Sequence, residues 1–415
     1  MSRTRLARLP VKTLLWAGGA LLAAQVAVIG TLVVVDSLRK RREPAPGKFP
    51  RTEPTTIHVA GSELTTYTYG VDLYSAMLEA IRGAKKHIYF ETYIWKGDEV
   101  GTEFKDALIA AAERGVDVRV VYDSFANAVV PPSFKRFPDS LHVLPFPFFR
   151  PGLLMLNPRR SGRDHRKVLV VDGDVGFVGG YNIGSLYATG WRDTHLRVEG
   201  PAAWELENAF VDFWNAHRRA KHPELEDRGA RAWDSRIKAA RNSPSVMLFP
   251  VRGMYLEAID RARDRILITQ GYFIPDPEIL AGLLTAARRG ADVRVLVPEV
   301  SNHVVADWVA RGYYSQLLGG GVRIYLYENA MVHAKTATVD GRWTTIGTTN
   351  IDRLSMTGNF EINLEIYDRD LAAHMEDVFA TDLTNARELT HAEWEQRPLA
   401  ARIGESILRP LGPLL

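Results

Sequence analysis

"DHRKVLVVDGDVGFVGGYN", residues 164–182, has a second version later in the same chain, "VHAKTATVDGRWTTIGTTN", residues 332–350. The apolar residues of the two versions differ, but the polar ones keep register. His165 matches His333, 168 positions on (333 − 165), and the same spacing joins Lys167 to Lys335, Asp172 to Asp340, Gly179 to Gly347 and Asn182 to Asn350. Further along, Asp193 in "WRDTH" meets Glu361 in "NFEIN" at the same offset. A stretch that served only as scaffold would keep its apolar residues and let its polar ones drift. Here the reverse has happened, so the repeated polar set carries the function.

The duplication reaches upstream. "AAERGVDVRV" (111–120) and "AARRGADVRV" (286–295) agree at eight of ten positions. Before them lie the β-rich runs "HIYFETYI" and "RILITQGYF". Between run and repeat, "GTEFKDALIAAAERG" and "PEILAGLLTAARRG" have helical spacing and end on Gly115 and Gly290, as helix C-caps do. Strand–helix–strand alternation predicts α/β architecture: two duplicated domains, each a mainly parallel sheet flanked by helices. The expected bounds are 56–225 and 245–395. The aromatic "FVDFWN" (210–215) reads as helix core.

In a strand, alternate side chains share a face, so His165 and Lys167 point one way, and His333 and Lys335 likewise. Lysine offers no lone pair at neutral pH, so His-x-Lys is a poor metal pair. An ammonium instead attracts a phosphate and favours negative charge developing on it. Asn182 and Asn350 can add amide donors, and Thr348 a hydroxyl, to the same oxygens. Histidine can serve as nucleophile or as acid and base near neutral pH, and two histidines can divide those tasks. Asp193 and Glu361 are candidates to hold the far ring nitrogens, with Glu361, 28 residues beyond His333, read as that histidine's partner. Asp172 and Asp340 fall on the opposite strand face and precede glycine, which fits a turn. Glycines 179, 180 and 347 fit a close backbone approach.

Composition sets the outer limits. The chain has 415 residues, 46% hydrophobic and 24% charged, enough for two large cores. A net charge of +3 gives no support to a dedicated nucleic-acid binder, and the absence of cysteine excludes disulfides, thiolate nucleophiles and cysteine zinc sites. Residues 13–35 carry no charge, and about 20 apolar residues suffice to cross a bilayer as a helix. This predicts one N-terminal transmembrane helix. Arg3, Arg5, Arg8 and Lys12 on one side balance Arg39, Lys40, Arg41 and Arg42 on the other, so the basic flanks do not orient it. "REPAPGKFPRTEPTT" (42–56) then marks a Pro-rich linker, expected over 36–55.

The pattern His-x-Lys-x4-Asp-x6-Gly-x2-Asn, present twice, resembles the HKD signature of the phospholipase D superfamily. The order of "ETYIW", "GGYNIG", "WRDTHLRVEGPA", "GYFIPD" and "NFEIN" is similar to that of bacterial cardiolipin synthases of this superfamily. The resemblance covers roughly residues 65–395. It implies an active site at the interface of the two domains, with His165, Lys167, Asp172, His333, Lys335 and Asp340 as the catalytic set. It also implies a phosphohistidine formed on His165, with His333 as acid and base, and no metal or cofactor. The implied setting is a cell membrane, with phosphatidylglycerol as substrate and no nucleic acid as partner. Cardiolipin synthesis is the implied reaction; phospholipase D hydrolysis and phosphodiester cleavage in nucleic acid are the alternatives. The chain departs from the family pattern at Thr348, where serine is usual, at Leu354, where arginine is usual, and at Met356, where phenylalanine is usual. Both copies lie in one chain, so dimerisation is not required for a complete site.

Overall fold

The computed structural model describes residues 11–42, 47–150, 162–227, 229–230 and 234–414. Two eight-stranded sheets carry the fold. The first runs, edge to edge, through Thr55–Val59, Ser62–Tyr67, His195–Glu199, Val175–Gly179, Val168–Val171, His87–Thr92, Asp117–Asp123 and Leu141–Phe146. The second repeats that plan with Ile237–Asn242, Glu361–Tyr367, Trp343–Gly347, Lys335–Val339, Arg265–Gln270, Asp292–Pro298, Arg323–Tyr327 and Ala386–Leu389.

The expectation of mainly parallel sheets needs correcting. In the first sheet only His87–Thr92, Asp117–Asp123 and Leu141–Phe146 pair in parallel, and in the second only Arg265–Gln270, Asp292–Pro298 and Arg323–Tyr327. The remaining neighbours within each sheet are antiparallel. The cause lies in the turns after the repeated His-x-Lys strands. Asp172-Gly173 and Asp340-Gly341 all have positive φ (56°, 76°, 52° and 58°), the conformation of a tight hairpin that sends the chain straight back. Helical crossovers, and the parallel pairing they impose, are confined to the strands that precede this motif.

Helix Glu99–Glu113 begins on Asp98, whose carboxylate accepts the Gly101 N–H at 3.0 Å, and the chain turns at Gly115 with φ 91°. Helix Pro277–Arg288 begins on Asp276 in the same way and is followed by Gly290 at φ 97°. These helices pack on the outer faces of their sheets, while the inner faces meet each other. Val178 and Leu196 of the first sheet share one buried cluster with Ile346 and Ile362 of the second. Phe210, Phe213 and Trp214 on helix Ala203–His217 join this shared core. An apolar interface of this kind fixes the two halves against one another.

The N-terminal helix Val11–Arg42 contains a segment, Gly18–Leu38, whose 21 residues and mean hydropathy of 2.2 suffice to cross a membrane. Most of its side chains are exposed. Val28, Ile29 and Leu32 pack on the second half, and Gln25 donates from Nε2 to the Ile407 carbonyl at 3.1 Å. Residues 43–46 of the linker, and the flanking Arg3, Arg5 and Arg8, lie outside the described residues.

Candidate active site

Each His-x-Lys segment enters its own sheet only after being tied to the other half. The His165 N–H donates to the Phe360 carbonyl at 3.0 Å, and the Phe360 N–H to Arg163 at 2.8 Å. Met331–Val332 lies parallel to Trp191–Arg192, and the His333 N–H donates to the Arg192 carbonyl at 2.7 Å. These ties set the side-chain partners. His165 Nδ1 lies 2.9 and 3.0 Å from the two oxygens of Glu361, and His333 Nδ1 lies 2.7 Å from Asp193 Oδ2. The carboxylates therefore hold the far ring nitrogens, but crosswise. Glu361 serves His165 rather than His333. The reason is the register across the interface, where Phe360 and Arg192 pair with the opposite motif.

His165 and His333 line a single cavity of about 320 Å³, together with Asn182 and Asn350. Asn182 Oδ1 accepts the Ile94 N–H at 3.2 Å, which leaves its amide donors for the cavity. Asn350 lies 3.5 Å from Ser355 Oγ. The lysines are buried behind the histidines. Lys167 Nζ donates to the His165 carbonyl at 2.7 Å, and Lys335 Nζ to the His333 carbonyl. Burial pushes Lys167 down to about 8 and Lys335 down to about 7. Burial and the two ammoniums hold both histidines well below their usual range. Burial pushes the Asp193 carboxyl up to about 6 and that of Glu361 up to about 8, against the pull of the nearby ammoniums.

Thr348, Asp172 and Asp340 do not line the cavity. Thr348 is fully buried and donates to Glu361 Oε2 at 2.5 Å, while accepting the Ile362 N–H at 3.0 Å. It supports the carboxylate instead of facing a phosphate, because the strand turns its hydroxyl toward Glu361. Asp172 accepts the N–H groups of Lys85, Lys86 and His87, and Asp340 those of Arg263, Asp264 and Arg265. Both aspartates pin the start of the central parallel strand to the hairpin at the far end of the motif strand. These contacts fit the structural turn role that the Asp-Gly dipeptides suggested.

The glycines behave as expected. A Cβ on Gly179 would sit 2.4 Å from the Thr194 carbonyl oxygen, and one on Gly347 2.3 Å from that of Ile362. A Cβ on Gly180 would sit 2.1 Å from Asp193 Oδ1. Gly180 and Thr348 occupy matching places in the repeat. The shorter aspartate needs the space a side chain would fill, whereas the longer glutamate reaches past it and leaves room for the Thr348 hydroxyl.

Sequence reasoning missed the aromatic walls. Tyr93 packs edge-on to His165 with ring centroids 4.6 Å apart, and Trp191 lies 4.9 Å from His333. Tyr272 and His303 also line the cavity. Tyr93 and Tyr272 stand just past the C-terminal ends of their parallel strands, where ligands gather in α/β sheets, and that position was the available signal. His303 follows no repeat, so nothing marked it. Among the described residues no group of three or more His, Asp or Glu side chains is arranged to hold a metal ion.

Residues 77–214 and 255–383 both match the family described as cardiolipin synthase, PLD-like domain. Among curated proteins, the major cardiolipin synthase ClsA of Bacillus subtilis is 36% identical over 370 residues, covering 86% of this chain and 77% of that protein. A cardiolipin synthase of Listeria monocytogenes is 32% identical over 368 residues, covering 85% and 76%. Among solved structures, phosphatidylserine synthase of Haemophilus influenzae superposes with a TM-score of 0.63 over 90% of this chain and 97% of that one, at 16% identity, a likeness of fold. Two matches of the family in one polypeptide, and relatives aligned along most of its length, place the chain in the cardiolipin synthase family of phospholipase D-like phosphatidyltransferases.

Proposed function

We propose that the protein is a membrane-anchored cardiolipin synthase that joins two phosphatidylglycerol molecules and releases glycerol. The observation that carries this reading is the crossed pair, in which two histidines face one cavity and each is held at Nδ1 by a carboxylate from the opposite half. His165 Nε2 attacks phosphorus, the bond to the headgroup glycerol oxygen breaks, and that oxygen takes a proton from His333. Glu361 steadies the imidazolium that forms on His165. In the second half-reaction His333 removes a proton from a hydroxyl of the second phosphatidylglycerol. That oxygen attacks phosphorus, the N–P bond breaks and cardiolipin departs. The anionic phosphodiester offsets the ammonium charges of Lys167 and Lys335, which lets His333 hold the proton it must donate.

The cavity supports a lipid substrate by its mixed lining. Asn182, Asn350 and the histidines form a polar floor, while Ile274, Val305 and Leu354 supply apolar wall. The test is incubation of the full-length protein with phosphatidylglycerol in detergent micelles without added metal. Cardiolipin and glycerol in equal amounts are expected. Phosphatidic acid and glycerol alone would replace the transferase with a hydrolase.

A further inference from the structure

The N-terminal helix is too engaged with the catalytic halves to cross a bilayer clear of them. Its charge-free stretch is residues 13–35, and Gln25, midway along it, is already bonded to the second half. The twelve residues from Thr13 to Ala24 span only about 18 Å at 1.5 Å per residue, whereas the hydrocarbon core is about 30 Å thick. The remaining depth falls on residues 25–35, which pack against helices Leu399–Leu408 and Val304–Gly319. Whatever lies alongside that section on its outer side must therefore meet lipid. Leu399 and Ile403, one helical turn apart on Leu399–Leu408, are 71% and 51% exposed, and Leu414 just beyond is 68% exposed.

This apolar face continues to the cavity. The turn Arg409–Leu414 packs on the short helix Arg353–Thr357, whose Leu354 is both exposed and part of the cavity wall. Beside that helix, Asn242 Nδ2 donates to the Ser355 carbonyl at 2.9 Å, and Ser243 and Leu248 close a tight turn by exchanging N–H···O bonds of 2.7 and 3.1 Å. The turn presents Val246, Met247 and Leu248 to the outside, with Met247 at φ 58°. A left-handed conformation at an exposed turn ordinarily selects glycine or asparagine. Methionine there, between two exposed aliphatic residues, fits a turn that meets an apolar phase. On the first half, Phe125 and Phe148 are exposed with their rings 5.5 Å apart. Phe125 lies under Arg163, whose N–H donates to the cavity residue Asn359 at 3.0 Å.

We infer that the C-terminal helix Leu399–Leu408 and the turn Val246–Leu248 sit in the same bilayer leaflet as residues 25–35 of the N-terminal helix, so that the cavity mouth opens at acyl depth and the lipid enters sideways without leaving the membrane. The inference rests on the proposed lipid substrate for its purpose, but its geometry can be tested separately. The chain has no cysteine, so one introduced cysteine reports one place. Ile403→Cys, Val246→Cys and, as a solvent-facing control, Glu113→Cys would each be labelled with an environment-sensitive fluorophore in the full-length protein. The labelled proteins would be reconstituted in phosphatidylglycerol vesicles doped with lipids spin-labelled on the acyl chain. Quenching at 403 and 246 but not at 113 is expected; an unquenched probe at either of the first two positions overturns the arrangement. In a second arm, Leu248→Asp is expected to lower cardiolipin formation in vesicles by about tenfold, the scale of losing one apolar side chain's transfer energy, and to leave cleavage of a water-soluble phosphodiester unchanged. An equal loss on both substrates would overturn the role of the turn. Quenching at both sites in a protein that makes no cardiolipin would sink the proposed reaction and leave the membrane seat standing.

Discussion

Glu361 of the second half holds His165 of the first, with His165 Nδ1 2.9 Å from Glu361 Oε1. Asp193 returns the arrangement by holding His333 at 2.7 Å. Neither half can orient its own histidine, so the site exists only when both halves are folded and docked. Glu361→Gln should slow formation of the phosphorylated enzyme, and Asp193→Asn should slow both its formation and its turnover, because His333 gives a proton in the first step and takes one in the second. Each should cost about 10²–10⁴-fold in kcat, the range for loss of an orienting carboxylate. Rapid-quench measurement with labelled phosphatidylglycerol separates the steps. Label building up in Glu361→Gln and not in Asp193→Asn would mean that the partners do not act on the histidines they touch.

The nucleophile follows from a trapping experiment. His165→Ala and His333→Ala should each leave less than about 1% of wild-type transfer, since covalent catalysis and proton transfer each supply at least about two orders of magnitude. With labelled lipid, His333→Ala should still accumulate a phosphohistidine and His165→Ala should not. Label held by His165→Ala alone reverses the assignment.

Gly180 and Thr348 test how the carboxylates are fitted. Gly180→Ala would set a methyl group 2.1 Å from Asp193 Oδ1 where the protein now stands. Displacing that carboxylate by about 1 Å should lower kcat by about 100-fold. Thr348→Val keeps the shape of the side chain and removes the hydroxyl that donates to Glu361 at 2.5 Å. A loss of about tenfold is expected, and Thr348→Ser should restore it. Equal activity in Thr348→Val and wild type would remove Thr348 from the site.

Asp172 and Asp340 should behave as structural residues. Asp172→Ala leaves the N–H groups of Lys85, Lys86 and His87 without their acceptor, at a cost of about 1–2 kcal/mol, the scale of a lost capping carboxylate. Thermal unfolding should move to lower temperature, while the folded protein keeps near-normal kcat. The backbone hydrogen bonds hold the Asp172 carboxyl below its usual range, against the opposing effect of burial. Its contribution is therefore present above the unfolded pKa, near 3.8, and is lost as pH falls through the lower folded value. A stable variant with no activity would return Asp172 to the chemistry.

The duplicated domains and the paired polar residues of the site could be read from the chain, because the repeat supplies its own alignment. His165 and His333 mark each other, as do Asp193 and Glu361. What the chain hid was three-dimensional. The Asp-Gly dipeptides at 172–173 and 340–341 were visible as turns, yet the antiparallel hairpins they impose depend on φ at both residues. The crossing of Glu361 to His165 depends on Phe360 pairing with the opposite half, which no linear spacing records. Thr348 carried a hydroxyl in the expected register, and only the pleat of its strand shows that the hydroxyl faces Glu361. Trp191 belongs to no matched pair, and Tyr93 was marked only by its place just past the end of a parallel strand, so the polar register of the repeat did not point to the walls of the cavity.

The pH profile should be a narrow bell. Lys335, held near 7, and Lys167, held near 8, carry their charges only below those values. As pH rises through them the phosphate loses both ammoniums, so kcat/KM should fall above about 7–8, because that ratio reports the free enzyme. Asp193 near 6 and Glu361 near 8 become carboxylates only above those values, so kcat/KM should climb as pH rises toward neutrality. The limbs overlap, which places the maximum close to 7. Assay of phosphatidylglycerol transfer between pH 5 and 9 checks the shape. Lys335→Arg keeps its charge throughout this range and should lift the alkaline limb to higher pH. An unmoved limb in that variant would show that the loss above neutrality does not come from Lys335.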